Sequence, residues 1–422
     1  MIMSDSQSVT IERLPEDFMQ HSFELFARLR AEGPARQVVM PHGATVWLVT
    51  RYDDVRALLT DPRISKDGHR MNEMFARHSG AAGQAAKDGE PGDPGDPGDP
   101  GFDDDLSAHM MNSDPPRHTR LRTLVSKAFT ASRMEDLRPA IERITAELLD
   151  AMAGEPEVDL ITAFAMPLPF SVIFDLFGIP HDDRDAFRRW ATNLVGAGHD
   201  PDEVAEASRQ LIEYANGLID AKRAAPDDGL VSALVRATDD GDRLTQSELV
   251  AMIFLLVIAG TETPANQFGN AVYHLLTHPG ELARLRADPS LMPAAVEELL
   301  RYDGGVGTAS FRFATADIPL GDAVIPAGDM VVLSLNSADR DSTRFLDADR
   351  LDLDRNPRGT LAFGHGVHYC IGAPLAKLML QIGLSGLITR YPRLRLAVEP
   401  EELRWKNSTL VHGLVALPVL TG

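Results

Sequence analysis

Cys370 is the only cysteine in the 422-residue sequence, so it cannot form an intramolecular disulfide. It lies in the glycine-rich segment F-G-H-G-V-H-Y-C-I-G, residues 363–372. Glycines permit a tight turn, and residues 373–390 read as a helix with Pro374 in its first turn. Backbone N–H groups and the helix dipole at this N-terminus favour a thiolate. The setting predicts a metal-ligating thiolate, and the alternative is an inert buried cysteine.

A second polar group interrupts an apolar stretch that reads as a buried helix. Residues 259–264 are A-G-T-E-T-P, and polar groups inside an apolar run need an explanation because their burial is costly. A carboxylate can relay protons and an alcohol can hold water, so Glu262 and Thr263 are candidates for proton delivery. The alternative is a solvated helix face. Pro264 has no N–H for the carbonyl of Gly260, so we expect a local opening of the helix.

These motifs resemble those of the cytochrome P-450 family, whose cysteine loop reads F-x-x-G-x-x-x-C-x-G and whose oxygen-binding helix carries A-G-x-[DE]-T. The matching residues are Phe363, Gly366, Cys370 and Gly372 in the loop, and Ala259, Gly260, Glu262 and Thr263 in the helix. The resemblance implies haem b, iron protoporphyrin IX, with Cys370 as the axial thiolate. It also assigns the handling of protons to Thr263 and Glu262.

Other motifs gain meaning through this resemblance. Glu298 and Arg301 form E-x-x-R on one helical face, which in the family is a structural pair and not a catalytic one. Haem propionates require cationic donors. The residues at the family's propionate positions are His118, Arg122, Arg312 and His368, although each alone could be an ordinary surface charge.

Substrate-facing positions also follow from the resemblance. They are Leu255, Ile258, Ala259, Val306, Thr308, Ala309, Leu410 and Val411. Because these residues are small or aliphatic, we expect a mainly apolar pocket. Simple core packing is the alternative at each position.

The chain is expected to form a single domain over residues 1–422, mainly α with small β-sheets. The pattern reads as helix over 14–32, is almost wholly helical over 115–302, and becomes strand-like over 309–335 and in the tail 403–420. The resemblance implies the cytochrome P-450 fold, with haem between the oxygen-binding helix and the cysteine-loop helix.

Residues 79–105 contain a tandem Gly-Asp-Pro repeat with little apolar surface. Such a segment is expected to be flexible, and residues 1–10 are expected to be disordered. The repeat stands where the family places a loop over the substrate, so we predict a lid. A tolerated surface insertion is the alternative.

Composition excludes some functions. The net charge of −21 argues against nucleic-acid binding. The longest strongly apolar run, residues 249–260, is too short to span a bilayer, and the N-terminus lacks the features of a signal peptide. We therefore expect a soluble, cytoplasmic protein with no membrane segment, and a monomer.

The sequence contains no convincing motif for a flavin or nicotinamide, so electrons are expected from a ferredoxin and an NAD(P)H-dependent ferredoxin reductase. Basic residues that flank the thiolate side in the family would dock the acidic ferredoxin. This basic patch comprises Arg117, Arg120, Arg122, Lys127, Arg133 and Lys377. A solvated helix face is the alternative for any one of them.

The resemblance thus implies a monooxygenase that inserts one atom of O2 into a C–H bond of an apolar small molecule. Natural products such as macrolides or other polyketides, terpenoids and steroids are the expected substrates. Epoxidation or oxidative coupling of phenols is one alternative. A haem-binding sensor without turnover is another, although such a protein has no need of an acid–alcohol pair.

Overall fold

The computed structural model describes residues 11–68, 104–195 and 201–422, apart from residue 42. The segment 1–10 and the predicted lid lie outside these residues, except that 104 and 105 begin a short helix. Within the described residues helices dominate and the strands form small sheets. The predicted mainly α fold is confirmed.

The helices are α1 (Ser22–Glu32), α2 (Tyr52–Leu58), α3 (Asp104–Ser107), α4 (Arg117–Ala128), α5 (Ala131–Glu135), α6 (Arg138–Ala151), α7 (Pro167–Phe177), α8 (Arg184–Val195), α9 (Pro201–Ala224), α10 (Leu230–Arg236), α11 (Gln246–Thr277), α12 (Pro279–Ala287), α13 (Met292–Tyr302), α14 (Leu335–Asp339) and α15 (Ala373–Arg390). The strands are β1 (Glu12–Arg13), β2 (Ala35–Val39), β3 (Thr45–Val49), β4 (Ile64–Ser65), β5 (Glu157–Asp159), β6 (Thr238–Asp239), β7 (Asp242–Arg243), β8 (Arg312–Ala314), β9 (Ile318–Leu320), β10 (Ala323–Ile325), β11 (Met330–Leu333), β12 (Arg395–Leu396) and β13 (Pro418–Leu420).

The largest sheet in the described part of the chain joins N-terminal strands to strands from residues 312–333, in the order β1-β2-β3-β11-β8-β4. Strand β11 pairs parallel with β3 and antiparallel with β8. At the far edge, β4 pairs antiparallel with β8, with Ser65 opposite Phe313. This pairing brings the chain after β4 beside the start of β8.

The long helix α11 runs through the core. Thr245 and Glu248 form a capping box at its N-terminus, and the helix packs against α7, α9, α13 and α15. It is long and apolar enough to cross a membrane, but 67% of its most apolar window is buried inside the protein, as in the core helix of a soluble protein. The sequence pattern understated its length because the polar A-G-T-E-T segment interrupts the apolar run.

Sequence patterns missed the short hairpin β6–β7 inside the region read as helical. Its turn is Asp240-Gly241, where both residues have positive φ, 46° and 87°. Asp-Gly is a strong sequence signal for such a hairpin turn. The sequence therefore contained the signal for this hairpin, but the surrounding helical pattern was given more weight. In the tail, regular strand is limited to β13, together with an isolated bridge between Trp405 and Leu414.

Candidate functional site

The cysteine loop is closed by its own backbone. The N–H of Cys370 donates to the carbonyl of Phe363 at 3.0 Å. Gly366 has a φ of +77°, and a Cβ there would lie 2.6 Å from Cγ2 of Thr60. Because only glycine suits both the conformation and the contact, the loop lies tightly against the end of α2.

The sulfur of Cys370 faces the N-terminus of α15, as predicted. Backbone N–H groups of Gly372 and Ala373 donate to it, and the charge of Arg122 also favours the thiolate. Burial nevertheless has the larger effect and raises the pKa of the Cys370 thiol. The two N–H groups and Arg122 would stabilise a thiolate, and a metal ion bound to the sulfur would favour its deprotonation.

Between its two ends, helix α11 is buried except around its polar segment. Residues 249–257 and 264–272 are buried, whereas Ala259 is exposed and Gly260, Glu262 and Thr263 are half-buried. The Thr263 hydroxyl donates to the carbonyl of Ala259 at 2.6 Å. The acid–alcohol pair thus lies on a partly accessible stretch of an otherwise buried helix interior.

The local packing explains Gly260. A Cβ at this position would lie 2.8 Å from Cδ1 of Ile173 on α7, so a larger residue would require the Ile173 side chain to move. Pro264 lies inside α11, which continues through it without a break. Proline therefore removes one helical hydrogen bond but does not end the helix.

Glu262 has a partner that the sequence did not indicate. The Lys406 ammonium lies 3.3 Å from Oε1 of Glu262, and the two side chains are 26% and 22% exposed. Lys406 is held by its backbone N–H, which donates to the carbonyl of Gly413 at 2.8 Å. The tail of the chain thus sets the position of the candidate proton-relay carboxylate.

The four candidate propionate ligands converge, although they come from separate parts of the chain. The rings of His118 and His368 lie 4.1 Å apart, centroid to centroid. Arg312 is buried, and Arg122 lies close enough for its charge to affect both His368 and Cys370. The structure therefore brings together residues that sequence could only place by resemblance.

A buried lysine that the sequence did not indicate belongs to the same group. Lys66 is 5% exposed, and its charge affects both histidines. Burial, reinforced by Arg122 and Lys66, lowers the pKa of His118 to about 4. Burial, reinforced first by Lys66, lowers the pKa of His368 to about 2. Both imidazoles are therefore neutral at neutral pH.

The cations Lys66, Arg122 and Arg312, with the neutral imidazoles of His118 and His368, form what we call the cationic cluster, which fits the anionic edge of a haem. Within the described residues, neither ring nitrogen of buried His118 has a hydrogen-bond partner. Burial lowers the pKa of Arg312 to about 10, and the carboxylate of Asp114 offsets only part of this effect. The described residues also include no cluster of three or more His, Cys, Asp or Glu that could hold a metal ion. Cys370 would hold the iron of a haem, and the cationic cluster would hold the carboxylates of its macrocycle.

The E-x-x-R pair lies in the core. Glu298 and Arg301 are both fully buried, and Arg301 binds the two carboxylate oxygens of Glu298 at 2.8 Å each. Arg355, which sequence reasoning missed, donates to Glu298 Oε1 at 3.0 Å. Arg301 also donates to the carbonyl of Asp339, whose carboxylate accepts the N–H of Leu361 at 2.8 Å. The pair thus anchors the chain that enters the cysteine loop.

The predicted pocket residues after α13 meet those of the tail. Val306 forms an isolated bridge with Val411, and the Thr308 N–H reaches the carbonyl of Leu410 at 3.4 Å. Ala309 is half-buried, as is Ile258 on α11. Leu255 instead lies in the main core cluster, 5% exposed.

The predicted basic patch is partly neutralised within the molecule. Arg120 forms ion pairs with Asp242 and Glu248, and Lys377 pairs with Glu297 at 2.5 Å. These contacts link the patch to the β6–β7 hairpin and to α13. The cysteine loop also exposes two large apolar side chains close in sequence to Cys370. Val367 is 54% exposed and Tyr369 is 42% exposed.

Comparison with known proteins identifies the class. The family model for cytochrome P450 matches residues 197–413. Cytochrome P450 107B1 of Saccharopolyspora erythraea is 47% identical over 96% of both chains. Mycinamicin IV hydroxylase/epoxidase of Micromonospora griseorubida is 41% identical over 94% of both chains. The structure of the tirandamycin C-bound P450 monooxygenase TamI superposes with a TM-score of 0.85 at 46% identity, covering 97% of this chain and 100% of that one.

The chain belongs to the cytochrome P-450 family. It is therefore an oxidoreductase of the haem-thiolate monooxygenase class. The predicted fold and enzyme class are confirmed.

Proposed function

We propose that this enzyme uses haem b to insert one atom of O2 into a C–H bond of a mainly apolar natural product. A polyketide such as a macrolide is the first candidate for the substrate, ahead of terpenoids and steroids. The observation that carries the proposal is the acid–alcohol pair on the accessible stretch of α11. The names of two relatives, which refer to tirandamycin C and mycinamicin IV, support the substrate class.

Each residue has a defined task in this proposal. When bound, the haem supplies oxygen activation, which axial thiolate ligation favours. Cys370 provides that thiolate, and Phe363, Gly366, Ala259 and Gly260 belong to the loop and helix on either side. The cationic cluster holds the propionates, and Glu298 and Arg301 keep the cysteine loop in place.

Proton delivery is assigned to Thr263 and Glu262. The Thr263 hydroxyl, which donates to the Ala259 carbonyl, can instead donate to a water molecule in the site. Glu262 is 22% exposed beside Lys406, so its carboxylate can exchange protons with solvent. A protein that only binds haem has no use for this arrangement.

The proposal is tested in two steps on the purified holoenzyme. A library of macrolides, linear polyketides, terpenoids and steroids is first screened for the shift of ferric haem to high spin. The compounds that give the shift are then incubated with a surrogate ferredoxin, its reductase and NAD(P)H, and the products are analysed. Binding without any oxidised product would favour the sensor alternative.

Product analysis also separates hydroxylation from the other oxidations. The relative named as a hydroxylase/epoxidase makes epoxidation the second candidate reaction. An oxygen atom from O2 in a new hydroxyl group supports the proposal. An epoxide or a coupled phenol as the main product would replace it.

Replacing Thr263 by alanine is expected to uncouple the enzyme. The yield of product per NAD(P)H should fall by about tenfold or more, because water is no longer held for proton transfer, while oxygen consumption continues. The matched control is Thr261→Ala. Thr261 also donates to a helix carbonyl, that of Val257 at 2.9 Å, but it is buried, so coupling should be retained. Equal coupling in the two variants would contradict the role of Thr263.

We also propose that a ferredoxin, reduced by an NAD(P)H-dependent reductase, supplies electrons in the cytoplasm and docks at the thiolate side. The patch includes Arg117, which is exposed and whose one side-chain hydrogen bond to a described residue is long, 3.5 Å to the carbonyl of Ala108. Exposed Val367 and Tyr369 of the cysteine loop add an apolar component to this surface.

The variant Arg117→Glu is expected to slow reduction severalfold at low ionic strength, with the difference shrinking as salt screens the charges. Arg209→Glu on α9, another exposed arginine, serves as the control and should leave the rate unchanged. Stopped-flow reduction with ferredoxin measures both. Identical rates for Arg117→Glu and the control at every salt concentration would rule out docking through Arg117.

A further inference from the structure

We propose that Lys66 is a cofactor-binding residue whose ammonium group binds a haem propionate beside Arg312. No motif marks this lysine, which follows β4 in the segment I-S-K-D. The inference rests on the proposed haem b and adds a ligand to its anionic edge.

The sheet register places Lys66 next to Arg312. Ile64 pairs with Ala314 and Ser65 with Phe313, so continuing the antiparallel register sets Lys66 opposite Arg312. Both side chains are 5% exposed. Like charges directly opposite each other in a ladder are destabilising, and burial removes the screening by water. Two such cations are expected to share an anion.

The protein itself supplies little negative charge at this place. Asp114 is the carboxylate that affects both Lys66 and Arg312. Its two oxygens already accept the Ser65 hydroxyl and the Lys66 backbone N–H, the latter at 3.1 Å. In the part of the chain that the structure describes, the Lys66 ammonium has no hydrogen-bond acceptor. Burial and Arg312 lower the pKa of Lys66 well below its usual value.

Its other neighbours cannot balance the charge. Lys66 acts on three imidazoles, those of buried His109 and His118 and of half-buried His368, and lowers the pKa of each. Burial lowers the pKa of His109 to about 3, so this ring is neutral as well. Arg122 adds a further positive charge beside His118 and His368. Among the described groups whose charge acts on Lys66, Arg312 is positive and Asp114 is negative.

The charges of the cluster match the ligand. Lys66 and Arg312 share one carboxylate, that of Asp114, which acts on both. A propionate of protoporphyrin IX, which is negatively charged at neutral pH, would supply the further counter-charge that these two buried cations require. Charge-assisted hydrogen bonds to a buried carboxylate are among the strong ones.

The test measures haem retention in the holoenzyme. Lys66→Met keeps much of the volume and removes the charge, and Lys66→Arg keeps the charge. The rate at which ferric haem passes to excess apomyoglobin should rise about 10- to 100-fold in Lys66→Met, as expected for the loss of a hydrogen bond to a charged group. Lys66→Arg should restore slow loss.

The reduction potential provides a readout that a merely structural lysine would not move. Removing a cation beside the haem destabilises the more negative ferrous state, so the midpoint potential of Lys66→Met should shift to more negative values and return in Lys66→Arg. A folded Lys66→Met holoenzyme with the wild-type rate of haem loss and the wild-type potential would overturn the inference.

Two further outcomes are distinguishable. If Lys66→Met does not accumulate with haem, Lys66→Gln and Lys66→Arg carry the test, and equal rates of haem loss in these two would overturn it. If the wild-type protein itself lacks the spectrum of a thiolate-ligated haem, the proposed cofactor fails and this inference with it. If the wild-type spectrum is normal and the substitutions of Lys66 change neither the rate of haem loss nor the potential, only the role of Lys66 is contradicted.

Discussion

Cys370→Ser is expected to be a folded protein whose reduced carbon-monoxide complex lacks the red-shifted absorption band of a thiolate-ligated haem. Turnover should fall to background. A serine hydroxyl remains protonated under conditions in which a metal-bound thiol is ionised, so the anionic ligand that favours O–O cleavage is lost. Absorption spectra of the reduced carbon-monoxide complex and product formation with the surrogate redox partners measure the two effects.

The loop offers a matched control for this substitution. Val367→Ala changes a side chain in the same loop that is 54% exposed and points away from the core. Its spectrum and turnover in a ferredoxin-independent assay should resemble those of the wild type. Far-ultraviolet circular dichroism establishes that both variants fold. A Cys370→Ser protein that keeps the thiolate spectrum would overturn the assignment of the axial ligand and with it the proposed function.

Glu298→Gln is expected to cost about 3–5 kcal/mol in the free energy of unfolding, the usual effect of removing one partner from a buried ion pair. Arg301 is fully buried and binds both carboxylate oxygens of Glu298, and Arg355 binds the same carboxylate. The neutral amide would leave two buried guanidinium groups without their counter-charge. Urea denaturation of the holoenzyme, followed by circular dichroism, measures the change in the midpoint at constant slope.

The neighbouring residue on the same helix provides the control. Glu297 forms a single ion pair with Lys377, and the two side chains are 34% and 26% exposed. Exposed pairs are worth about 1 kcal/mol or less, so Glu297→Gln should hardly shift the midpoint. If Glu298→Gln were no less stable than Glu297→Gln, the buried pair would not anchor the core behind the cysteine loop. Loss of the haem spectrum in parallel with unfolding of Glu298→Gln would show that the anchor also supports the cofactor site.

The segments that carry chemistry could be predicted because each is a local pattern. The cysteine loop needs glycine where φ is positive, and it needs a helix directly after the thiol. Both requirements can be read from the residue types in and just after the segment 363–372. The polar interruption of α11 is likewise visible against its apolar surroundings. The Asp240-Gly241 turn shows that a local signal can also be missed when a long helical pattern surrounds it.

Charges were harder to interpret from sequence than motifs. Arg120 and Lys377 looked like free docking residues, but the fold pairs them with Asp242, Glu248 and Glu297. Lys406, in the tail, turned out to lie beside Glu262. The energy of a charge depends on its burial and its partners, and those are fixed by elements distant in the chain.

The sequence alone determined the class of this protein, since the thiol, the acid–alcohol pair and the E-x-x-R helix depend on local backbone geometry and spacing. Only the tertiary structure decided which cations are buried together. The pairing of β4 with β8 sets Lys66 against Arg312, and the chain after α14 brings Arg355 to Glu298. These contacts join segments far apart in sequence. Their energies depend on how completely water is excluded around the charges, and a local sequence pattern does not indicate this burial.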